Sequence, residues 1–441
     1  MISGEKRLDR AIVSWRGPRY SGPPTASLIV SLCASLLCMA TSVPAQDITP
    51  LPDPLGIEDV ATYARLNRQE IAAARARARA ADQRPAIVSA LDDPMIMPSV
   101  DHLPFMLNGA DVSLMVEQRF PLSGIRGHQR QAAEADARRI SAEAERVAQD
   151  VQVDAVKAFL MLHERREMAR ILGQQVKLAR QFVDATAARY STSTGTQTDV
   201  LRAEIEVARL DSAIRASRSE IAAAETMLNV GLGRPSDAAV PSLMPPQLDI
   251  EPPDWAEVRE VALNRRPELA AGRAGLSQAQ ADISVMKSMY KPMGFVRTGP
   301  SYTMSDGKGW MITAGISIPL WREKLDAGVR QASAMHDMAR ADLDAMTRMI
   351  EGDVTAALRQ VAAARERVLA LRDEVVPRAR QAIDPSVAAY TAGTVPLISV
   401  LDAAQVLWAI EADLVSAQYE LGLAWARLRR AQGIFDEGAG P

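Results

Sequence analysis

The stretch ARRISAEAERVAQDVQVDAVKAFLMLHERREMARILGQQVKLARQFV runs from Ala137 to Val183 and decides the fold. At alternating steps of four and three residues, twelve of fourteen positions are apolar, and most of these are alanine. An apolar seam this long is typical of a coiled coil rather than of a helix on a globular surface. It predicts a helix from about Gly127 to Arg189, roughly 95 Å long at 1.5 Å per residue. The small alanines predict that a neighbouring helix approaches closely.

The N-terminus has the pattern of a secretory signal peptide. Basic residues precede an apolar run from Ala26 to Ala40, and Val43-Pro44-Ala45 has small residues where a signal peptidase reads the chain. We therefore expect residues 1–45 to be a signal peptide, because an apolar run of about 15 residues is short for a membrane span. Cys33 and Cys38 lie inside this run, so the mature chain would have no thiol or disulfide.

Several segments after the signal peptide alternate between apolar and polar residues, which predicts β-strands with one apolar face. The clearest are Asp111–Leu122 and Trp310–Ile318, and Phe295–Met304 is a further candidate. The apolar faces would carry Val112, Leu114, Val116 and Phe120 in the first strand, and Trp310, Ile312, Ala314, Ile316 and Ile318 in the second.

The predicted elements occur twice in the same order, about 200 residues apart. In each copy a helix is followed by two strands, a long helix, a turn and a shorter helix. Five matches support this duplication: Arg68-Gln-Glu-Ile71 with Arg266-Pro-Glu-Leu269, Phe120-Pro-Leu122 with Ile318-Pro-Leu320, the seam Val151–Val176 with the seam Ile350–Val375, Tyr190 with Tyr390, and Val200-Leu201 with Val400-Leu401. Chance is a poor explanation for five matches in one register.

The sequence thus predicts a mainly α fold with a small β part, built from a duplicated helix-strand-strand-long helix-helix repeat. We expect repeat 1 at residues 46–233, a proline-rich linker at 234–254 and repeat 2 at 255–441. Four strands cannot close a membrane barrel of eight or more, and lipid does not tolerate open strand edges. Three chains would supply twelve strands. The prediction is a homotrimer with a 12-stranded membrane β-barrel, continued by an α-helical coiled-coil barrel in an aqueous compartment.

The duplicated motifs resemble the outer-membrane factor family, the TolC-like channels of tripartite efflux pumps and type I secretion systems. The resemblance covers essentially the whole mature chain. Its motifs are Arg-Pro-Glu-Leu at 266–269, Phe-Pro-Leu at 120–122, Ile-Pro-Leu at 318–320, and the turns that follow Tyr190 and Tyr390. Asp93-Pro-Met95 and the segment from Gln118 to Gly124 also resemble the heavy-metal branch of the family, whose pumps are of the resistance-nodulation-division type.

The resemblance implies a passive exit duct in the outer membrane of a Gram-negative cell, with a large periplasmic part. Its partners would be outer-membrane lipid, a periplasmic adaptor (membrane fusion) protein and an inner-membrane pump, and its substrates heavy-metal cations. A multidrug-efflux channel or a type I secretion channel has the same fold and remains an alternative. A pore-less periplasmic coiled-coil protein is a further alternative, but it would have no use for strands with an apolar face.

The resemblance also implies a gate at the turns between long and short helices. Tyr390 and Asp199 lie where the family has a tyrosine–aspartate link that keeps the entrance closed. Asp402 and Ser399 lie at two positions of an acidic ring, and Ser399 replaces a frequent aspartate. Val395 replaces a basic residue that helps to hold the closed state. Asp402 also has a simpler interpretation as a carboxylate favoured near a helix N-terminus.

No other pattern in the sequence indicates chemistry. The four histidines, His102, His128, His163 and His336, never occur in pairs at metal-ligand spacing. No phosphate-binding glycine loop or nucleophile–base pair is present, so the sequence predicts neither an enzyme nor a cofactor. The charge is nearly balanced, with 51 basic and 54 acidic residues, and no basic block is present, which argues against nucleic acid as a partner.

Overall fold

The computed structural model describes residues 50–101, 110–247 and 251–434, and the predicted signal peptide lies outside them. The fold is mainly helical with one small sheet, as predicted. In chain order the elements are α1 (Ile57–Asn67), α2 (Gln69–Val88), β1 (Met95–Asp101), β2 (Asp111–Pro121), α3 (Ile125–Ser191), α4 (Gln197–Leu232), α5 (Trp255–Arg265), α6 (Pro267–Ser288), β3 (Met293–Thr303), β4 (Gly307–Ser317), α7 (Arg322–Ala370), a π-helical turn (Leu371–Val375), α8 (Val376–Thr391) and α9 (Leu397–Gln432). Among the described helices, none combines the length and the apolarity that crossing a membrane requires.

The longest element is α3, whose 67 residues extend about 100 Å at 1.5 Å per residue. It contains the whole helix predicted from Gly127 to Arg189. It packs against α1, α2, α4, α6 and α9, so several of its faces are buried rather than one seam alone. The predicted close approach is present, since a Cβ added to Gly231 of α4 would lie 3.6 Å from the Cα of Ala155.

The helix predicted from Glu58 to Asp82 is instead two helices, α1 and α2, which meet at Arg68. The backbone of Arg68 is extended, with φ −74° and ψ 129°. Its counterpart Arg266 separates α5 from α6 in the same conformation, with φ −64° and ψ 122°. In repeat 2 the break has a local cause, because Pro267 disfavours helical conformation in the residue before it.

Repeat 1 has no proline at this break, so tertiary contacts keep the backbone of Arg68 extended. The guanidinium of Arg68 donates a hydrogen bond to the backbone carbonyl of Val230, near the end of α4, at 2.5 Å. Gly233, which ends α4 with φ 74°, lies so close that an added Cβ would be 3.1 Å from the carbonyl oxygen of Asn67. The end of α4 is thus fastened to the junction of α1 and α2.

The second long helix is interrupted where α3 is continuous. The π-helical turn Leu371–Val375 separates α7 from α8. Pro377 follows in the first turn of α8 and has no amide hydrogen to donate to the preceding turn, whereas its counterpart in α3 is Lys177. Most of the second predicted seam is buried, but Val375, its last predicted member, is exposed because it lies in the wider π-helical turn.

The strands form one antiparallel sheet in the order β1-β2-β3-β4. The central pair, β2 and β3, comes from different repeats, and Val116 pairs with Thr298 across it. The sheet therefore joins the two repeats. β1 and β4 are its edges, and each has one strand neighbour among the described residues.

The predicted apolar faces of β2 and β4 point away from the protein interior. On β4, Trp310 and Ile312 are 67% and 72% exposed. On β2, Val112 and Leu114 are also exposed, and they share this face because side chains alternate along a strand. Large apolar side chains this exposed in a row require an apolar environment outside the chain.

The opposite face of the sheet is polar and well packed. Glu117 is buried and accepts hydrogen bonds from Arg119 at 2.8 Å and from Arg297 at 2.6 Å. The ring of Phe295 covers Gly315, where an added Cβ would lie 2.3 Å from a ring carbon. The sheet is therefore apolar outside and charged inside, the reverse of a sheet on a water-soluble protein.

Candidate functional site

Two turns connect the long helices to the shorter helices that follow them. Turn 1 (residues 192–196) joins α3 to α4, and turn 2 (residues 392–396) joins α8 to α9. Each contains one residue in the left-handed region, Ser193 with φ 60° and Gly393 with φ 77°. These two residues are 200 positions apart, so the turns are counterparts in the two repeats.

Both turns end their helix with the same hydrogen bonds. The amide of Thr194 donates to the carbonyl of Arg189 at 2.9 Å, and the amide of Thr394 donates to the carbonyl of Ala389 at 3.0 Å. A bond that spans five residues around a left-handed residue is the Schellman motif, which satisfies the last carbonyls of a helix. The two threonine hydroxyls donate to the same carbonyls, at 3.2 and 2.9 Å.

Arg189 links turn 1 to the end of α8. Its guanidinium lies over the ring of Tyr390, 4.6 Å from the ring centroid, and donates a hydrogen bond to the backbone carbonyl of Tyr390. It also donates to the carbonyl of Thr194 at 3.0 Å. Because Tyr390 is only 4% exposed, water competes weakly for this cation–π contact. Such contacts stabilise by about 0.5–1 kcal/mol at exposed sites and by about 2 kcal/mol when desolvated.

The predicted link between Tyr390 and Asp199 is not a hydrogen bond within this chain. The carboxylate of Asp199 accepts from the hydroxyl of Thr196 at 2.8 Å, and the same hydroxyl caps α4 by accepting from the amide of Asp199 at 3.2 Å. The hydroxyl of Tyr390 is buried and has no hydrogen-bond partner among the described residues.

Asp199 nevertheless acts on Tyr390 through space. Burial raises the pKa of the Tyr390 hydroxyl, the positive charge of Arg189 lowers it, and the negative charge of Asp199 raises it further. Both charges are thus close enough to act on this hydroxyl. The structure brings three side chains together at the turns, two of which the sequence predicted.

The two predicted ring residues lie at the start of α9. Ser399 is in its first turn, where its amide donates to the carbonyl of Pro396 at 3.1 Å. Asp402 follows three residues later on the same helix. Both side chains are exposed, and Asp402 makes no ion pair within the described ranges. Buried Val400 and Leu401 between them hold this face of α9 in place.

Sequence reasoning missed Arg189 and its contact with Tyr390. A signal was present in the duplication, because the counterpart of Arg189 is Ala389. Val395 in turn 2 stands where a basic residue is expected from the resemblance. In the structure a cation does lie against Tyr390, but it comes from the other turn.

The arrangement at the turns can form and break non-covalent contacts. Among the side chains that the structure describes, no group of three or more His, Cys, Asp or Glu could hold a metal ion. The site is therefore built from one cation–π contact, one carboxylate and an unsatisfied hydroxyl, all of which depend on how the helix ends are arranged.

Comparison with known families agrees with this fold. Residues 258–434, from α5 to the end of α9, match the family model described as outer membrane efflux protein. This part of the chain is therefore similar to the outer membrane efflux proteins. The predicted resemblance and the predicted outer-membrane location are therefore confirmed, and the family consists of channels rather than enzymes.

The curated relatives that the chain resembles have different roles. The chain is 25% identical to outer membrane efflux protein BepC of Brucella suis over 65% of its own length and 63% of the relative. It is 25% identical to alkaline protease secretion protein AprF of Pseudomonas aeruginosa, over 65% and 61%. It is 24% identical to cobalt-zinc-cadmium resistance protein CzcC of Cupriavidus metallidurans, over 59% and 62%. The chain spans about three fifths of each of these relatives.

Solved structures show the same fold. The chain superposes on the structure of CusC with a TM-score of 0.75, over 86% of this chain and 92% of that chain, at 16% identity. The crystal structures of CusC concern conformational changes that accompany folding and transmembrane channel formation. The predicted fold class is thus confirmed as that of the TolC-like channels.

Proposed function

We propose that this protein forms a passive exit duct through the outer membrane. Three copies would close a twelve-stranded barrel and align their helices into a periplasmic tunnel. A periplasmic adaptor and an inner-membrane pump of the resistance-nodulation-division type would deliver the substrate. The division into repeat 1 (46–233), linker (234–254) and repeat 2 (255–441) is part of this proposal, since each repeat would contribute two strands and one long helical segment.

The observation that carries the proposal is the sheet with its exposed apolar face. Trp310 and Ile312 could not remain exposed in water without a covering surface, and lipid would supply one. The edges β1 and β4 would pair between neighbouring chains, because lipid offers no hydrogen bonds to an open edge. The sheet leads directly into α3, which is long enough to reach about 100 Å from it.

The turns would form the gate of the duct. In this proposal Tyr390 and Asp199 belong to the contacts that hold the entrance closed, and Asp402 and Ser399 line the entrance. Arg189 would fasten the two turns of one chain together through Tyr390. A gate built from weak contacts can open when a partner offers competing ones, since each contact contributes only about 1 kcal/mol.

For the substrate we propose heavy-metal cations. The support is the relative named for cobalt-zinc-cadmium resistance, together with the segments around Asp93 and Gln118 that resemble the heavy-metal branch. The relative named for alkaline protease secretion supports protein export as the second candidate. A deletion strain should become sensitive to cobalt, zinc, cadmium or copper, and sensitivity to antibiotics alone or loss of a secreted protein would contradict the metal assignment.

The duct itself is tested with the purified full-length protein. We expect recovery in the outer-membrane fraction, a trimer in mild detergent, and ion-conducting steps after insertion into planar bilayers. The variant Trp310→Arg places a charge on the outward face of β4 and should prevent insertion. The control Lys308→Gln, near the start of the same strand, adds no charge and should not. Recovery only from the soluble periplasm, or a stable monomer without conductance, would contradict the proposal.

A further inference from the structure

The apolar face of the sheet continues beyond the strands into the junction between β4 and α7. Leu320 and Trp321 there are 74% and 79% exposed, more than Trp310 and Ile312 on the strand itself. Trp321 is the residue before the first turn of α7. An exposed tryptophan at the end of an apolar surface is typical of a position where hydrocarbon gives way to polar headgroups.

Three cations lie in the same junction as this tryptophan, and we call Lys291, Trp321, Arg322 and Lys324 the basic rim. All four side chains are exposed, and none of the three cations makes an ion pair within the part of the chain that the structure describes. Lys291 lies beside the junction because Met293 pairs with Ser317 at the start of β3, and Lys291 precedes Met293 by two residues.

The arrangement is held in place by specific contacts. The guanidinium of Arg322 lies 5.6 Å from the ring centroid of Tyr290, which connects the start of α7 to the end of α6. The hydroxyl of Tyr290 donates to the carboxylate of Asp326, one turn further along α7. Arg322 and Lys324 therefore extend from a packed helix end, and Lys291 lies in a turn whose amide donates to the carbonyl of Ser288 at the end of α6, at 3.2 Å.

The cations do not serve the stability of α7. Arg322 and Lys324 lie in its first turn, where the helix macrodipole disfavours positive charge. The first amides of a helix have no partner within the helix and favour an anion, although the amide of Arg322 donates to the carbonyl of Leu320 at 2.9 Å. The same turn contains one exposed carboxylate, Glu323, but the three cations of the rim outnumber it, so the surface as a whole is complementary to phosphate.

Repeat 1 shows that the fold does not require this charge. The residues 198 positions earlier are Asp93 for Lys291, Ser123 for Trp321 and Gly124 for Arg322. Both Asp93 and Lys291 are followed by Pro-Met, so the two positions are equivalent. The counterpart of Lys324 is Arg126, which instead donates internally to the carbonyl of Ser89 at 2.7 Å. The basic rim is a feature that repeat 2 has and repeat 1 lacks at equivalent backbone positions.

We propose that the basic rim binds the headgroup phosphate of anionic phospholipids in the periplasmic leaflet of the outer membrane. This inference rests on the proposed function, because it requires the sheet to lie in lipid. Continuity with the apolar face sets the rim at the headgroup level, and long cationic side chains there reach outward to phosphate while their stems remain in the apolar layer. One chain has one such rim, so a trimer would bind anionic lipid at three places.

The experiment measures lipid retained by the full-length protein. Wild-type protein is reconstituted into nanodiscs of phosphatidylethanolamine with and without phosphatidylglycerol, extracted, and analysed by native mass spectrometry. The test variant is Lys291→Gln/Arg322→Gln/Lys324→Gln. The matched control is Arg340→Gln/Arg348→Gln/Arg359→Gln, which removes three exposed cations of α7 that also have no ion pair within the described ranges.

We expect wild type and the control to retain phosphatidylglycerol in preference to phosphatidylethanolamine, and the rim variant to lose the preference by roughly fivefold for each charge removed. Asp93→Lys should increase the preference by adding a cation at the repeat 1 position. Equal retention by rim variant and control would overturn the inference. Failure of wild type to insert into either lipid mixture would instead contradict the proposed function, so the two failures are distinguishable.

Discussion

Arg266 and Glu268 in repeat 2 and Arg68 and Glu70 in repeat 1 occupy equivalent positions and form equivalent ion pairs, but in different surroundings. The side chains of Arg266 and Glu268 are only 8% and 12% exposed. Those of Arg68 and Glu70 are 19% and 56% exposed. One motif of the duplicated sequence has therefore become an interior network in one repeat and a surface pair in the other.

The difference comes from Arg430 at the end of α9. Its guanidinium donates to Glu268 at 2.5 Å and to Asp150 of α3 at 2.7 Å. The counterpart of Arg430 is Val230, which offers Arg68 only a backbone carbonyl. In repeat 2 the network fastens α6 and α9 to the long helix of repeat 1, so it connects the repeats as well as closing one of them.

The network holds Glu268 ionised. Burial by itself would raise the pKa of Glu268, but the hydrogen bonds from Arg266 and Arg430 outweigh it and lower the pKa from 4.5 to about 2. The pKa of Glu70 is also lowered, by its hydrogen bond from Arg68, but this pair lies at the surface, where water screens it. The same chemical pair should thus stabilise repeat 2 far more than repeat 1.

The largest expected effect is that of Glu268→Gln. It leaves two buried guanidinium groups without their shared carboxylate, which typically costs about 3–5 kcal/mol of unfolding free energy. The matched control Glu70→Gln breaks a surface pair and should cost below about 1 kcal/mol. Thermal unfolding of both variants in detergent, followed by circular dichroism, measures the difference. Equal losses of unfolding free energy would show that burial does not make the pair in repeat 2 more stabilising than the pair in repeat 1.

The second prediction concerns acid. Because the folded pKa of Glu268 lies below the unfolded value of 4.5, its contribution is present above pH 4.5 and is lost as the pH falls towards 2. The shift corresponds to about 3 kcal/mol. Between pH 5 and pH 2, wild type should therefore lose about 3 kcal/mol more stability than Glu268→Gln. Parallel pH profiles would contradict the assigned role.

The third prediction compares the two turns by exchanging their left-handed residues. Gly393→Ser should destabilise turn 2 by about 1–2 kcal/mol, because a side chain is strained in the left-handed region. Ser193→Gly should stabilise turn 1 by less than about 1 kcal/mol, since relief of strain is partly offset by greater freedom of the unfolded chain. Hydrogen exchange at the amides of Thr194 and Thr394 reads each turn separately, and the same sign for both variants would contradict the comparison.

The fourth prediction concerns the cation–π contact between the turns. Arg189→Met removes the charge but keeps an apolar stem over Tyr390, so the closed arrangement should weaken by about 0.5–1 kcal/mol. Single-channel recordings should then show an open probability up to roughly fivefold higher. Tyr190→Phe is the control, because Tyr190 is half exposed and its ring has no described cation against it.

The hydroxyl of Tyr390 provides a separate comparison at the same site. Tyr390→Phe alone should change the open probability little, since this hydroxyl has no hydrogen-bond partner within the described chain. Combined with Asp199→Ala, it tests the predicted tyrosine–aspartate link between turns. A large effect of Tyr390→Phe by itself would show that the hydroxyl forms a hydrogen bond in the assembled trimer. Tyr390 rather than Arg189 would then contribute most to holding the entrance closed.

The fold was predictable because its signals are local and repeated. The seam within Ala137–Val183 predicted α3, and alternation predicted β2 and β4 with their apolar faces. The duplication predicted the order of the elements and two strands in each copy, and its motifs carried the resemblance to a family. Each of these depends on periodicity along the chain, which sequence displays directly.

The sequence did not reveal the places where one segment acts on another. The break at Arg68 has no proline and depends on a carbonyl of α4, and the contact of Arg189 with Tyr390 joins residues 201 positions apart. The sequence by itself determined two similar repeats. Tertiary structure decided how they differ, because burial and long-range partners, rather than residue type, set whether an arginine–glutamate pair, a turn or a helix end becomes an interior anchor or remains at the surface.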